Sequence, residues 1–255
     1  MHLPGTMHHL APVVPTDSVV TVKATRAFAL RALPAPDPAI ALWLCDLERD
    51  PAAVEAFAVC LSAEERDRAA RFGSALLRNR WIVGRATLRL LLGSATGSNP
   101  ADIRIVRGVR GRPELVGARR LDFNVSHTAG VALIGIGHAL PSATRIGVDL
   151  ERADRRVNAD GLARKFLTAN ERAALALLDA DARRRSFLRL WTCKEAMSKA
   201  TGDALSAPLR QLDVNLAAGL ELQAGPPPYT PEDWRLIAAD VGVEMIATVA
   251  VWSAS

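Results

Sequence analysis

Leu61-Ser62-Ala63-Glu64-Glu65-Arg66 and Leu167-Thr168-Ala169-Asn170-Glu171-Arg172 are two versions of one phrase. In each, a hydroxyl residue is answered three positions later by a glutamate, the capping box that satisfies two orphan amide donors at the start of a helix. Each therefore predicts a helix. The echo extends both ways. Upstream, Trp43-Leu44-Cys45-Asp46-Leu47-Glu48-Arg49 parallels Ile146-Gly147-Val148-Asp149-Leu150-Glu151-Arg152, short alternating segments that suit a strand. Downstream, Trp81-Ile82-Val83-Gly84-Arg85-Ala86 with Arg89 parallels Trp191-Thr192-Cys193-Lys194-Glu195-Ala196 with Lys199. The order strand, capped helix, second amphipathic helix, further strands occurs twice, which predicts an α+β fold of two similar halves facing one cleft. The expected division is an irregular leader over residues 1–38, where prolines stand at 4, 12, 15, 34, 36 and 38, then halves over 39–140 and 141–255.

The halves differ where chemistry would be carried. Asp149 and Glu151 are two apart and project from one face of a strand, while Glu195 belongs to a helical pattern. Three such carboxylates can hold a hard divalent cation, and Lys194 and Lys199 beside them can hold the phosphates that Mg²⁺ usually accompanies. The first half repeats the strand acids as Asp46 and Glu48, but in this pairing Arg85 stands opposite Glu195. Taken alone, Glu195 and Lys199 would be an ordinary exposed i,i+4 pair worth about 0.2–0.5 kcal/mol. Trp191 and Trp81 read as core, with Leu188 and Ala196 on one stripe and Leu77 and Leu88 on the other.

Between the halves, Leu121-Asp122-Phe123-Asn124-Val125-Ser126-His127-Thr128 alternates as a strand, with Ser126 and His127 at its end where hydroxyl and imidazole can donate to phosphate oxygens. Gly111-Arg112-Pro113, after Arg107, Gly108 and Arg110, is a basic turn. The 255 residues are 49% hydrophobic with a net charge of +5, which suits a globular protein with an anionic partner. Aromatic residues make up only 5%, too few for nucleic-acid stacking platforms. No apolar run is long enough to cross a membrane, and no basic-then-apolar export signal opens the chain. Three cysteines without CxxC spacing fit a reducing cytoplasm.

Four stretches in order, Phe123–Thr128, Gly147–Glu151, Phe166–Glu171 and Trp191–Lys199, resemble the signature of 4'-phosphopantetheinyl transferases. Over residues 40 to 252 the double-length architecture is similar to the surfactin-synthetase-activating type. The resemblance implies a cytoplasmic, monomeric, Mg²⁺-dependent enzyme, often of secondary metabolism. It would move the phosphopantetheine arm of coenzyme A onto a serine of an apo acyl, peptidyl or aryl carrier protein, releasing adenosine 3',5'-bisphosphate. It implies Asp149, Glu151 and Glu195 as metal ligands, with Glu195 and Lys199 catalytic. For coenzyme A it implies Arg68, Arg80, Gly111, Arg112, Pro113, Ser126, His127, Lys194 and Lys199. Glu65 departs from relatives that carry a lysine there, and its capping box would account for it. Arg164, Lys165, Arg172 and the run Arg183-Arg184-Arg185 are expected docking charges for the carrier. A metal-dependent nuclease built on the same acids is the alternative, but such sites commonly present E-x-K on a strand, whereas Lys194 here precedes Glu195 on a helix.

Overall fold

The structure is a computed structural model that describes residues 30–253 apart from 118, 119, 142 and 218. The first half runs β1 (Leu30–Asp37), β2 (Ile40–Asp46), α1 (Pro51–Ala58), α2 (Ala63–Ala70), α3 (Ala75–Thr96), β3 (Ile105–Arg107), β4 (Pro113–Leu115), β5 (Asp122–Thr128) and β6 (Val131–Gly137). The second runs β7 (Thr144–Arg152), α4 (Ala159–Phe166), α5 (Ala169–Ala176), α6 (Ala180–Thr201), β8 (Asp213–Asn215), β9 (Glu221–Ala224), β10 (Trp234–Ala239) and β11 (Met245–Ser253). The two larger antiparallel sheets have the orders β1-β2-β6-β5 and β10-β11-β7, so β2-β6-β5 and β7-β11-β10 repeat one arrangement, and β3-β4 and β8-β9 are two-stranded ribbons.

The duplication extends to lengths and caps. Both short helices have 8 residues in each half, and α3 and α6 have 22 each. Both expected capping boxes form, Ser62 with Glu65 and Thr168 with Glu171. Gly97 and Gly202 end the long helices in the left-handed conformation that glycine adopts without a Cβ penalty.

One correction concerns the expected leader. Its residues 30–37 form β1, paired antiparallel with β2, and the remainder lies outside the described residues. Pro34 is tolerated because β1 is an edge strand whose register shifts between Leu33 and Asp37.

The two sheets share an apolar core in which Leu33, Leu42, Leu44 and Leu133 of the first meet Ile146, Val148, Leu150 and Val249 of the second. Each sheet turns its other face to its long helix: Trp43 and Ile134 meet Leu88 and Leu92 of α3, and Ile246 and Ala250 meet Leu188, Met197 and Ala200 of α6. The alternation of β7 follows. Its even-numbered apolar residues enter the shared core, so Gly147, Asp149 and Glu151 face α6. Gly147 sets the separation, since a Cβ there would lie 1.9 Å from the Ala196 carbonyl oxygen and 2.8 Å from the Ala200 nitrogen. That approach brings Glu195 and Lys199 beside the strand carboxylates.

Candidate active site

Asp149 is 5% exposed, and its Oδ1 accepts from Ser126 Oγ at 2.8 Å and from Lys199 Nζ at 2.6 Å. Its Oδ2 is buried without a hydrogen-bond partner. Glu151 accepts from Thr128 Oγ1 at 3.4 Å and pairs with Arg155. Burial pushes the Glu195 carboxyl up; the negative charges of Asp149 and Glu151 push the same way, and Lys199 opposes them. Burial, then Asp149, likewise raises the Glu151 carboxyl against the pull of Arg155. The three acids thus press on one another in one region. Among the described residues, however, no three metal-ligating side chains of the His, Cys, Asp and Glu types are gathered closely enough to hold an ion. Lys199 on Asp149 and Arg155 on Glu151 supply the positive charge that balances them in this arrangement.

Beside this cluster opens a cleft of about 980 Å³ with walls from both halves. Glu195, Ser198 and Lys199 form the second-half wall, and Arg68, Arg71, Arg80, Arg85, Arg104 and Arg107 make the opposite side strongly basic. Asp149 and Glu151 do not line it. Of the expected coenzyme contacts, Arg68, Arg80, Gly111, Pro113, His127 and Lys199 do line the cleft. Arg68 lies 5.4 Å over the Trp81 ring. Arg80 is held by Glu48 and keeps a buried Nε donor without a partner. Trp81, expected in the core, is only partly buried and shares the cleft wall, and Leu77 on its stripe is exposed.

Three expected contacts are placed differently. Lys194 is 0% exposed and off the cleft; its Nζ is 2.7 Å from Glu171 Oε2 and donates to the carbonyls of Phe166, Leu209 and Leu212 at 3.2, 2.7 and 2.7 Å. An ammonium has three donors, so none is left for a phosphate. Arg112 reaches the cleft wall, but its guanidinium is spent on Asp122 and on the carbonyls of Lys199, Pro113, Phe123 and Ile146. Ser126 Oγ is saturated by Asp149, Lys199 and the Leu150 amide.

The buried Lys194 also corrects the register of the repeat. Its first-half counterpart is Arg89, 2% exposed, which pairs with Glu65 and donates to the carbonyls of Pro100, Ala101 and Ile103. The spacing from Arg89 to Lys194 equals that from Gly97 to Gly202, so Glu195 stands opposite Leu90 and Lys199 opposite Ser94. Arg85, expected opposite Glu195, pairs with Glu65, so Glu65 does more than cap its helix.

Sequence reasoning missed Asp122 and Asn124. Their side chains and that of Ser126 accept from the amides of Ile146, Val148 and Leu150 at 2.7, 3.0 and 3.2 Å, each pair 24 residues apart. The signal was present as polar residues alternating with Phe123 and Val125.

The family model described as the 4'-phosphopantetheinyl transferase superfamily matches residues 145–253, and one described as 4'-phosphopantetheinyl transferase, N-terminal, matches 49–136. The chain is 32% identical over 216 residues to the 4'-phosphopantetheinyl transferase HetI of a Nostoc species, covering 82% of this chain and 86% of that protein. It is 30% identical to the 4'-phosphopantetheinyl transferase ffp of Bacillus subtilis, covering 74% and 82%. To the transferase Sfp of the same organism it is 26% identical, covering 64% and 69%. These relatives bear transferase names, and none of them favours the nuclease alternative. A duplicated α+β skeleton, an acid cluster beside an arginine-lined cleft, and matches over both halves place this chain in the 4'-phosphopantetheinyl transferase superfamily.

Proposed function

We propose that the chain transfers the 4'-phosphopantetheine arm of coenzyme A to a serine of an apo carrier protein and releases adenosine 3',5'-bisphosphate. The observation that carries this reading is Lys199 Nζ, 2.6 Å from Asp149 Oδ1 on a cleft wall shared with Glu195 and faced by arginines. In the reaction the serine oxygen forms a bond to the β-phosphorus, and the bond from that phosphorus to the bridging oxygen breaks. The electron pair leaves with the nucleoside bisphosphate, and the serine proton passes to a base. Lys199, on the cleft wall, is the proposed ammonium that neutralises charge on the leaving phosphate. Glu195 is the candidate base, since a carboxyl raised by burial is a better proton acceptor than an exposed one. Arg68, Arg80 and His127 are the proposed phosphate contacts, and Gly111 with Pro113 flanks the nucleoside.

The chemistry of this donor set, three carboxylates, suits Mg²⁺, and the three would have to draw closer than they stand here to hold it. Asp149 presents a buried carboxylate oxygen without a partner, and Glu151 and Glu195 bear on the same charge cluster. When bound, the ion would neutralise diphosphate charge; Asp149, Glu151 and Glu195 would hold it, with Lys199 and Arg155 giving up their present pairings.

The carrier would dock near α4 and α5, where Arg164, Arg172 and Arg183 border a small hollow. Within the run Arg183–Arg185, Arg184 pairs with Asp181, so the run is not wholly free. The unpaired Cys45, Cys60 and Cys193 support a reducing cytoplasm. We read the protein as a monomer, and the repeated element order supports a division near residue 140.

The test incubates the protein with coenzyme A, Mg²⁺ and an apo carrier, and measures the carrier by mass spectrometry. A gain of one arm on the serine, lost when the metal is omitted, is expected. An unmodified carrier across acyl, peptidyl and aryl types overturns the proposal.

A further inference from the structure

Arg112 and Asp122 form a buried, fork-to-fork ion pair at the seam of the two halves: Nη1 to Oδ1 at 2.9 Å and Nη2 to Oδ2 at 2.6 Å. Four elements converge on it. Arg112 Nε donates to the Lys199 carbonyl at 3.0 Å, and Nη2 donates to the Ile146 carbonyl at 2.8 Å. Asp122 Oδ2 accepts the Ile146 amide at 2.7 Å. The pair therefore grips both polar groups of Ile146, three residues before Asp149. It also satisfies the carbonyl of Lys199 itself, one of the last four of α6 that lack an intrahelical partner. Gly202 lets the basic turn come this close, since a Cβ there would lie 3.2 Å from the Cβ atoms of Arg110 and Arg112.

Asn124 and Ser126 continue the grip along β7 at every second residue. This matters because, among the described residues, β7 is hydrogen-bonded to a neighbouring strand on one edge only, to β11. On its other edge no backbone ladder joins it to β5, so side chains alone set its register against the first half. A slip there would carry Asp149 and Glu151 away from the arginine wall.

We propose that Arg112, with Asp122 and Asn124, is a positioning residue of the transfer reaction, aligning Lys199 and Asp149 with the first-half wall of the cleft, and that its guanidinium is not a phosphate contact. The inference rests on the arm-transfer reading. It predicts a particular split of kinetic constants. Misplacing reacting groups lowers kcat, whereas losing a ground-state contact raises KM.

The experiment measures kcat and KM for coenzyme A, together with thermal unfolding, for wild type, Arg112→Lys, Asp122→Asn and the double variant. Lysine retains the charge but cannot reproduce the fork. Expected are a fall in kcat of about tenfold or more in each single variant, measured per folded molecule, with KM changed less than about threefold and the double variant scarcely worse than either. A KM for coenzyme A raised tenfold in Arg112→Lys with Asp122→Asn unaffected would restore a phosphate-contact role and overturn the inference. Wild-type kcat in folded variants of lowered melting temperature would reduce the pair to a purely structural one and also overturn it. If neither variant folds, Asn124→Ala removes one neutral acceptor from the same array and is read by the same criteria. Wild type serves as the separate control: if it transfers no arm, the functional reading fails rather than the positioning role.

Discussion

Lys194→Met separates a structural from a chemical role for the lysine beside Glu195. Methionine keeps most of the apolar stem and removes the ammonium. What remains is Glu171, 3% exposed and still accepting from the amides of Thr168 at 2.8 Å and Val214 at 3.0 Å, plus three carbonyls without their donor. Breaking a buried pair by removing one partner costs about 3–5 kcal/mol, because the other charge stays buried. Burial already raises the Glu171 carboxyl against the pull of Lys194 and lowers the Lys194 ammonium, so Glu171 can escape part of the cost by taking a proton. At about 2–4 °C per kcal/mol for a chain of this size, the melting temperature should fall by roughly 6–20 °C. Below that transition, KM for coenzyme A should stay near wild type. Adding Glu171→Gln should recover part of the loss, a coupling that calorimetry on the four proteins would measure. A melting temperature within about 2 °C of wild type, with kcat/KM down a hundredfold, would refute the reasoning and return Lys194 to the substrate.

Glu195→Gln should cost at least about a hundredfold in kcat, the scale of losing a transition-state contact. In EDTA it should nevertheless melt above wild type at neutral pH. A carboxyl whose native pKa is raised binds its proton more tightly folded than unfolded, so its ionisation erodes stability as pH climbs from 4.5 through the raised value. The gap between the two melting curves should therefore close as pH falls from 7 toward 5. Gly147→Ala should leave the protein inactive or unfolded, because the new Cβ meets helix backbone that cannot swing aside; soluble, active protein would contradict the packing of α6 on β7. Iodoacetamide at pH 8 should label Cys60 first in the native protein. Cys45 and Cys193 are buried, and burial pushes the Cys193 thiol up to about 12; labelling of Cys193 before unfolding would count against its place in the core.

What could be read from the chain was local. A capping box spans four residues, and both boxes were legible for that reason. The strand acids were legible because alternation fixes which face Asp149 and Glu151 share. The partners of Lys194 and Arg112 were not, because Glu171 lies 23 positions from Lys194 and Asp122 acts on a strand of the other half. Residue type misled there. A lysine beside Glu195, the proposed base, reads as a phosphate ligand until packing shows its ammonium enclosed by carbonyls. Aligning the repeat on Trp81 and Trp191 matched two indoles but missed the register set by buried cations and helix caps.

The corrected register turns the duplication into an internal control. A feature that both halves carry requires no substrate to explain it. Arg89 with Glu65 and Lys194 with Glu171 are the same staple, a cation from the long helix closing on a capping-box glutamate and on carbonyls of the loop that follows the helix. The strand acids alone do not make a site either, since in the first half Asp46 caps the Glu48 amide and pairs with Arg49, while Glu48 holds Arg80. What the second half adds is Glu195 where the first has Leu90, and Lys199 where the first has Ser94. One turn apart on the helix face that Gly147 draws onto β7, those two side chains are what the proposed phosphoryl transfer would use in the second copy and would lack in the first.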